Sequence, residues 1–196
     1  MSVVDVWLLP VRHGAAADPS AVALLDGRER DKIISLGVED DRDRAVTARI
    51  AARTELARRL QVSAGEVPLT TDAEDCPYVR GWAGGISWAH SGDWVALAVS
   101  NDRLVGIDIE KDPEPVPVKA PEGIGVSSIE EFVDLEAASK ATSCVYGGHW
   151  PPGIRVDRLP APDGYHASLA AAGHEWTVSL HDELATTSSL RTQSRS

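Results

Sequence analysis

Residues 94–110 constrain the fold more than any other stretch of the chain. Two apolar-rich runs, Trp94–Ser100 and Arg103–Ile109, flank the polar pair Asn101-Asp102. Both loop residues tolerate positive φ, so the pattern predicts a β-hairpin. Alternation along the second run places Val105, Ile107 and Ile109 on one face and Gly106, Asp108 and Glu110 on the other. The apolar face is expected to enter the core. On the opposite face, residues two apart sit about 6.5–7 Å from each other at the backbone. Two carboxylate tips can converge from there on one hard cation, which takes oxygen ligands. Gly106 is expected to leave room for a ligand. A hairpin with one wet face accounts for the same acids without any function, and both readings fit the spacing.

The remaining chain reads as short strands around two helices. Val3 to Pro10 is a strand closed by proline, and residues 31–60 are polar and then helical. Gly65, Pro68 and residues 72–85 form a turn-rich connection, and His90-Ser91-Gly92 is expected in the turn entering the Trp94 strand. Residues 112–125 carry four prolines and two glycines and read as a loop. Ser127 to Ala141 is helical, and Val156–Leu159, His166–Ala170 and Glu175–Leu180 are short strands. Residues 185–196 have the composition of a disordered tail. This predicts an α+β fold in two similar halves, 1–100 and 101–184.

Composition removes several functional classes. The 196 residues carry 19 Lys and Arg against 30 Asp and Glu, a formal charge of −11, which argues against nucleic-acid binding. No apolar run approaches the roughly 20 residues needed to cross a bilayer. The first ten residues are apolar but contain Asp5 and no basic n-region, so no secretory signal is expected. Cys76 and Cys144 stand far apart, outside any C-x-x-C pattern, which excludes a disulfide scaffold or Cys-ligated zinc. A cytoplasmic location with no membrane contact is the expectation.

Two helices carry charge where a packed face is expected. Ser127 with Glu130 and Ser128 with Glu131 each fit a capping box. Ile129, Phe132 and Val133 define an apolar stripe into which Glu136 falls. A carboxylate there needs a partner or a metal, and Lys140 at i+4 is one candidate partner. Upstream, Arg42 to Arg59 holds six Arg, one Asp and one Glu, a local +4 in an acidic chain. Arg49 and Arg53 project between its two apolar sets. Either internal carboxylates or a bound anion must pair with them. Arg44, near the helix start, is the better anion candidate.

The order of these features resembles the Sfp-type 4′-phosphopantetheinyl transferases, from about Arg28 through Lys140 and more faintly to Leu180. Trp88-Ala89-His90-Ser91-Gly92 followed by Gly106-Ile107-Asp108-Ile109-Glu110 looks like the family's S-H-S-G segment and its G-(I/V)-D-(I/V)-E metal motif. Residues 40–53 look like its arginine helix, and Phe132 through Lys140 like its W-x-x-K-E-A-x-x-K motif.

The resemblance implies two pseudo-related lobes, each a small antiparallel sheet with a long helix. The first would supply coenzyme A phosphate contacts and the second the metal carboxylates. It implies Mg²⁺ on Asp108, Glu110 and Glu136. Glu136 would act as base, and Lys140 would steady charge during transfer. Arg44, His90 and Ser91 would contact coenzyme A, with Lys32 a further candidate. The acceptor would be an acyl or peptidyl carrier protein, in secondary metabolite biosynthesis, and the chain a monomer. The family's lysine before Glu136 is here Leu135, its tryptophan is Phe132, its basic residue before Pro77 is Cys76, and the segment 111–131 is short. Leu135→Lys is expected to add a phosphate contact. These departures leave two further readings: a non-transferring module that binds a carrier or another ligand, and a repurposed enzyme of small-molecule biosynthesis.

Overall fold

The computed structural model describes residues 2–72, 76–112, 126, 128–142 and 153–181. The expected tail 185–196, Ser127 and most of the short 111–131 segment lie outside them. The chain is mixed α and β, in the order β1 (Ser2–Pro10), α1 (Pro19–Val22), α2 (Gly27–Ser35), α3 (Glu39–Leu60), β2 (Leu69–Thr71), β3 (Pro77–Val79), β4 (Gly85–Ser91), β5 (Trp94–Ser100), β6 (Val105–Lys111), α4 (Ile129–Thr142), β7 (Ile154–Leu159), β8 (Tyr165–Ala172) and β9 (Trp176–His181).

One sheet has the order β4-β5-β1-β9, and another the order β6-β8-β7, with β2-β3 as a separate pair. β9 runs parallel to β1, pairing Ser2 with Trp176 and Trp7 with His181. A strand from the late chain therefore completes the sheet of the first half, and the two halves interleave.

Alternation along β1 explains the layering. Val4, Val6 and Leu8 pack with Ile107, Ile109, Leu169 and Trp176 in a core shared by both sheets. Trp7 and Leu9 point the other way, onto Ala52, Leu56 and Leu97 beneath α3. On its outer face the three-stranded sheet carries α4, through Ala137, Ala138 and Ala141 against Ala170. Burying a Val- or Leu-sized side chain is worth about 1.5–3 kcal/mol, so this two-sided use of β1 makes it the strand on which the layers depend. Among the described residues no helix is long and apolar enough to cross a membrane.

The expected hairpin at Asn101-Asp102 is not formed. β5 pairs with β1 and β4, while β6 pairs with β8, so residues 101–104 carry the chain from one sheet to the other. The hairpin lies one strand earlier, where Ser91 pairs with Trp94 around Gly92-Asp93. Gly92 has φ +52°, a conformation that favours glycine. His90 and Ser91 accordingly end strand β4 rather than occupy a turn.

Candidate functional site

Three elements build the site: the end of β4, strand β6 and helix α4. β6 is held to β4 by side-chain bonds, for Ser87 Oγ accepts from Ile107 N at 3.2 Å and Ser91 Oγ from Lys111 N at 3.1 Å. Alternation places Val105, Ile107 and Ile109 in the core as expected. Gly106 does not leave space for a ligand. A Cβ there would lie 2.0 Å from the Ala137 carbonyl oxygen and 2.3 Å from Ala141 N, so the absent side chain lets α4 sit directly on β6. That close approach delivers Glu136 and Lys140 to the acidic face of β6. Helix α4 opens with Ser128 Oγ accepting from Glu131 N, as one of the two expected caps requires.

A cleft of about 270 Å³ results, lined by Trp88, Ala89, His90, Asp108, Glu110, Phe132, Glu136 and Lys140. Asp108 is 4% exposed. Lys140 Nζ donates to its Oδ1 at 2.6 Å, so Lys140 pairs across elements rather than along its own helix with Glu136. The other oxygen, Oδ2, is buried without a hydrogen-bond partner among the described residues. Burial pushes the Asp108 carboxyl up to about 6, opposed by Lys140 and reinforced by the charges of Glu110 and Glu136. Glu110 accepts from Ser91 Oγ at 2.8 Å. The Ser91 hydroxyl, expected as a phosphate donor, is therefore engaged in fixing Glu110.

Among the described residues, no group of three or more His, Cys, Asp and Glu side chains stands close enough to hold a metal ion. The donor chemistry nevertheless suits a hard divalent cation. The cleft offers three carboxylates, and Asp108 Oδ2 is an orphaned buried oxygen. Mg²⁺ keeps several waters and typically takes one or two protein carboxylates together with substrate phosphates. It does not need a cage built entirely of protein.

His90 stands at the open side of the cleft, and Arg44 Nη1 donates to the neighbouring Gly92 carbonyl at 3.0 Å. Shielding by the cleft wall, then the positive charges of Arg44, Lys140 and Arg49, hold the His90 imidazole below its ordinary value. Arg44 also pairs with Asp41 on its own helix.

Lys32 lies elsewhere, in a neighbouring cavity of about 300 Å³ with Arg28, Arg49, Thr70, Thr71 and Trp88. Cys76 and Pro77 line a third cavity, of about 330 Å³, that reaches Trp88 and Lys140. Trp88 borders all three hollows.

An internal carboxylate accounts for Arg49 and Arg53 of α3. Arg53 Nη2 and Nε both donate to Glu29 Oε2, at 2.7 and 3.2 Å, and Arg53 Nη1 donates to the Val67 carbonyl. Arg49 lies 3.8 Å from Glu29 and 5.6 Å from the Trp88 ring centre. Leu135 is 7% exposed, so this position is turned into the packed side of α4.

Curated proteins that match the chain are named phosphopantetheinyl transferases, and the chain belongs to the 4′-phosphopantetheinyl transferase superfamily. It is 34% identical over 137 residues to a phosphopantetheinyl transferase of Thraustochytrium sp., covering 67% of this chain and 45% of that protein. It is 29% identical over 113 residues to the L-aminoadipate-semialdehyde dehydrogenase-phosphopantetheinyl transferase of Xenopus laevis, covering 55% of this chain and 34% of that protein. The chain thus spans less than half the length of these curated relatives. No family model matches it.

Proposed function

We propose that this chain transfers 4′-phosphopantetheine from coenzyme A to a serine of an acyl or peptidyl carrier protein, with Asp108, Glu110 and Glu136 holding Mg²⁺. The observation that carries this reading is the cleft lined together by Asp108, Glu110, Glu136, Lys140 and His90, in which Asp108 Oδ2 is buried without a hydrogen-bond partner among the described residues. The names of the curated relatives support the choice of reaction. Bound there, Mg²⁺ would neutralise the diphosphate and reverse the sign of an otherwise repulsive acidic wall.

The chain's own residues supply the rest. Glu136, half-buried at the cleft, takes the proton of the carrier serine hydroxyl, directly or through one water. The serine oxygen then bonds to the phosphorus bearing the pantetheine arm. The bond from that phosphorus to the bridging oxygen breaks, and 3′,5′-ADP leaves with the bonding electrons. Lys140, bonded to Asp108 at the cleft and 32% exposed at its side chain, would steady this developing charge. His90, kept below its ordinary value by the cleft wall and the neighbouring cations, would give a phosphate oxygen a hydrogen bond. Arg44 stands beside it through its bond to the Gly92 carbonyl, and Lys32 and Arg28 offer cations to the remaining phosphate in the adjoining cavity.

The test is incubation of the chain with coenzyme A, Mg²⁺ and a panel of apo carrier proteins, read by mass. Gain of the phosphopantetheine mass on a carrier supports the proposal, and no modification of any carrier overturns it. The buried Leu135, standing where the family motif has a lysine, favours the non-transferring module as the second reading. Tight binding of a carrier without modification would select it.

A further inference from the structure

Beneath α4 the three-stranded sheet carries a row of polar residues across its strands. Asp108 on β6 pairs in register with Ser168 on β8, and Ser168 pairs with Arg158 on β7. Cross-strand neighbours share a face, so all three look towards α4. The helix answers at two points. Lys140 reaches Asp108 at 2.6 Å. Asp134 accepts from Ser168 Oγ through one oxygen, and from Arg158 Nε and Nη2, at 2.9 and 2.7 Å, through the other. Asp134 is 7% and Ser168 2% exposed, so this second contact is desolvated on the sheet side, while the Arg158 side chain is 59% exposed.

The geometry of a helix gives these contacts a purpose. At 100° per residue, Asp134 leaves α4 within the arc of Ala137, Ala138 and Ala141, and Lys140 leaves it about 120° away, at the edge of the packed face. Directional contacts this far apart around the axis oppose rotation of the helix, which the alanine seam alone resists poorly. Glu136 leaves the helix only about 40° from Lys140. Loss of the Asp134 anchor would therefore let Glu136 swing relative to Asp108.

We propose that Asp134, Ser168 and Arg158 form a positioning clamp that sets the rotation of α4 and so aims Glu136 and Lys140 at Asp108. None of the three lines the cleft. The clamp acts only through the helix, and its catalytic consequence rests on the transfer activity proposed above.

Four full-length variants test it: Asp134→Asn, Ser168→Ala, Arg158→Met and Arg158→Lys. Supporting residues of this kind typically change activity or metal affinity by about 10–100-fold. Asp134→Asn and Arg158→Met are expected to lower kcat about tenfold, with the KM for coenzyme A held within about twofold. Ser168→Ala is expected to fall between them and the native chain, and Arg158→Lys to restore most of the loss. A purely structural role would instead lower kcat in proportion to the unfolded fraction.

Amide hydrogen exchange along residues 135–141 is read in parallel, without cation or substrate. Faster exchange in Asp134→Asn than in the native chain supports the clamp. Unchanged exchange overturns it, as does a kcat within about twofold of native in both Asp134→Asn and Arg158→Met. If the native chain modifies no carrier, the transferase reading falls, and the exchange comparison alone decides the clamp.

Discussion

Lys140 on α4 and Asp108 on β6 are joined by a 2.6 Å hydrogen bond between residues 32 apart in sequence. It engages only one carboxylate oxygen and leaves the other buried and without a hydrogen-bond partner among the described residues. Burial of that oxygen makes the charged form of Asp108 costly.

The penalty has a definite pH signature. Asp108 is raised from an ordinary value of 3.8 to about 6, so folding favours its protonated form. The destabilisation is absent below about pH 4, grows as pH rises to about 6 and is complete above that. Asp108→Asn stays neutral throughout. In chelator-containing buffer, its stability relative to the native chain is expected to increase between pH 4 and pH 6 and then level off, while carrier modification is lost. Urea denaturation at pH 4, 5 and 7 checks this, and a pH-independent difference would contradict it.

Gly106→Ala tests the seating of α4. The added methyl would meet helix backbone at 2.0 and 2.3 Å, and backbone cannot rotate aside as a side chain can. A loss of about 1–3 kcal/mol is expected from such overpacking. Turnover should fall by more than the unfolded fraction explains, because the whole helix must lift away from β6. Thermal melting with parallel kinetics measures both.

Leu135→Lys is expected to lower the melting temperature and leave coenzyme A affinity unchanged. The resemblance alone suggests that a lysine here restores a phosphate contact. Leu135 is buried, so the substitution would place an ammonium in packed surroundings. Calorimetric titration with coenzyme A beside a thermal melt separates the two outcomes.

Arg53→Met probes the arginine helix. Arg53 is 1% exposed and its partner Glu29 8%. Removing one member of a buried ion pair strands the other, at a typical loss of about 3–5 kcal/mol. The double variant Arg53→Met with Glu29→Gln is expected to recover part of that loss, measured by denaturant titration. A single variant as stable as the native chain would show that the pair contributes nothing.

Local signals were legible where a residue's own chemistry decided its place. The period-two pattern of β6 put Ile107 in the core and Asp108 on the other face, and the Ser128 cap opened α4. The same physics failed where partners were distant. Asn101-Asp102 has hairpin chemistry, yet β5 finds a better partner in β1, which arrives from the start of the chain. Gly106 reads equally well as room for a ligand or room for a helix, and only packing distinguishes them. Lys140 had a partner within its own helix by spacing, but the desolvated Asp108 across the interface is the stronger claim on its charge. The Asp134–Ser168–Arg158 clamp gave no local signal, because each member is unremarkable until the register of β7 and β8 is known.

The partnership of β1 with β9 carries a consequence for biogenesis. Strand β1 cannot gain its full set of neighbours until Trp176 to His181 has been synthesised. The earlier sheet must wait, one edge unsatisfied, while the cleft-bearing strands are made. Closure of β9 onto β1 is thus a late, chain-spanning event, and a nascent chain halted before it would expose an edge that invites pairing with another molecule.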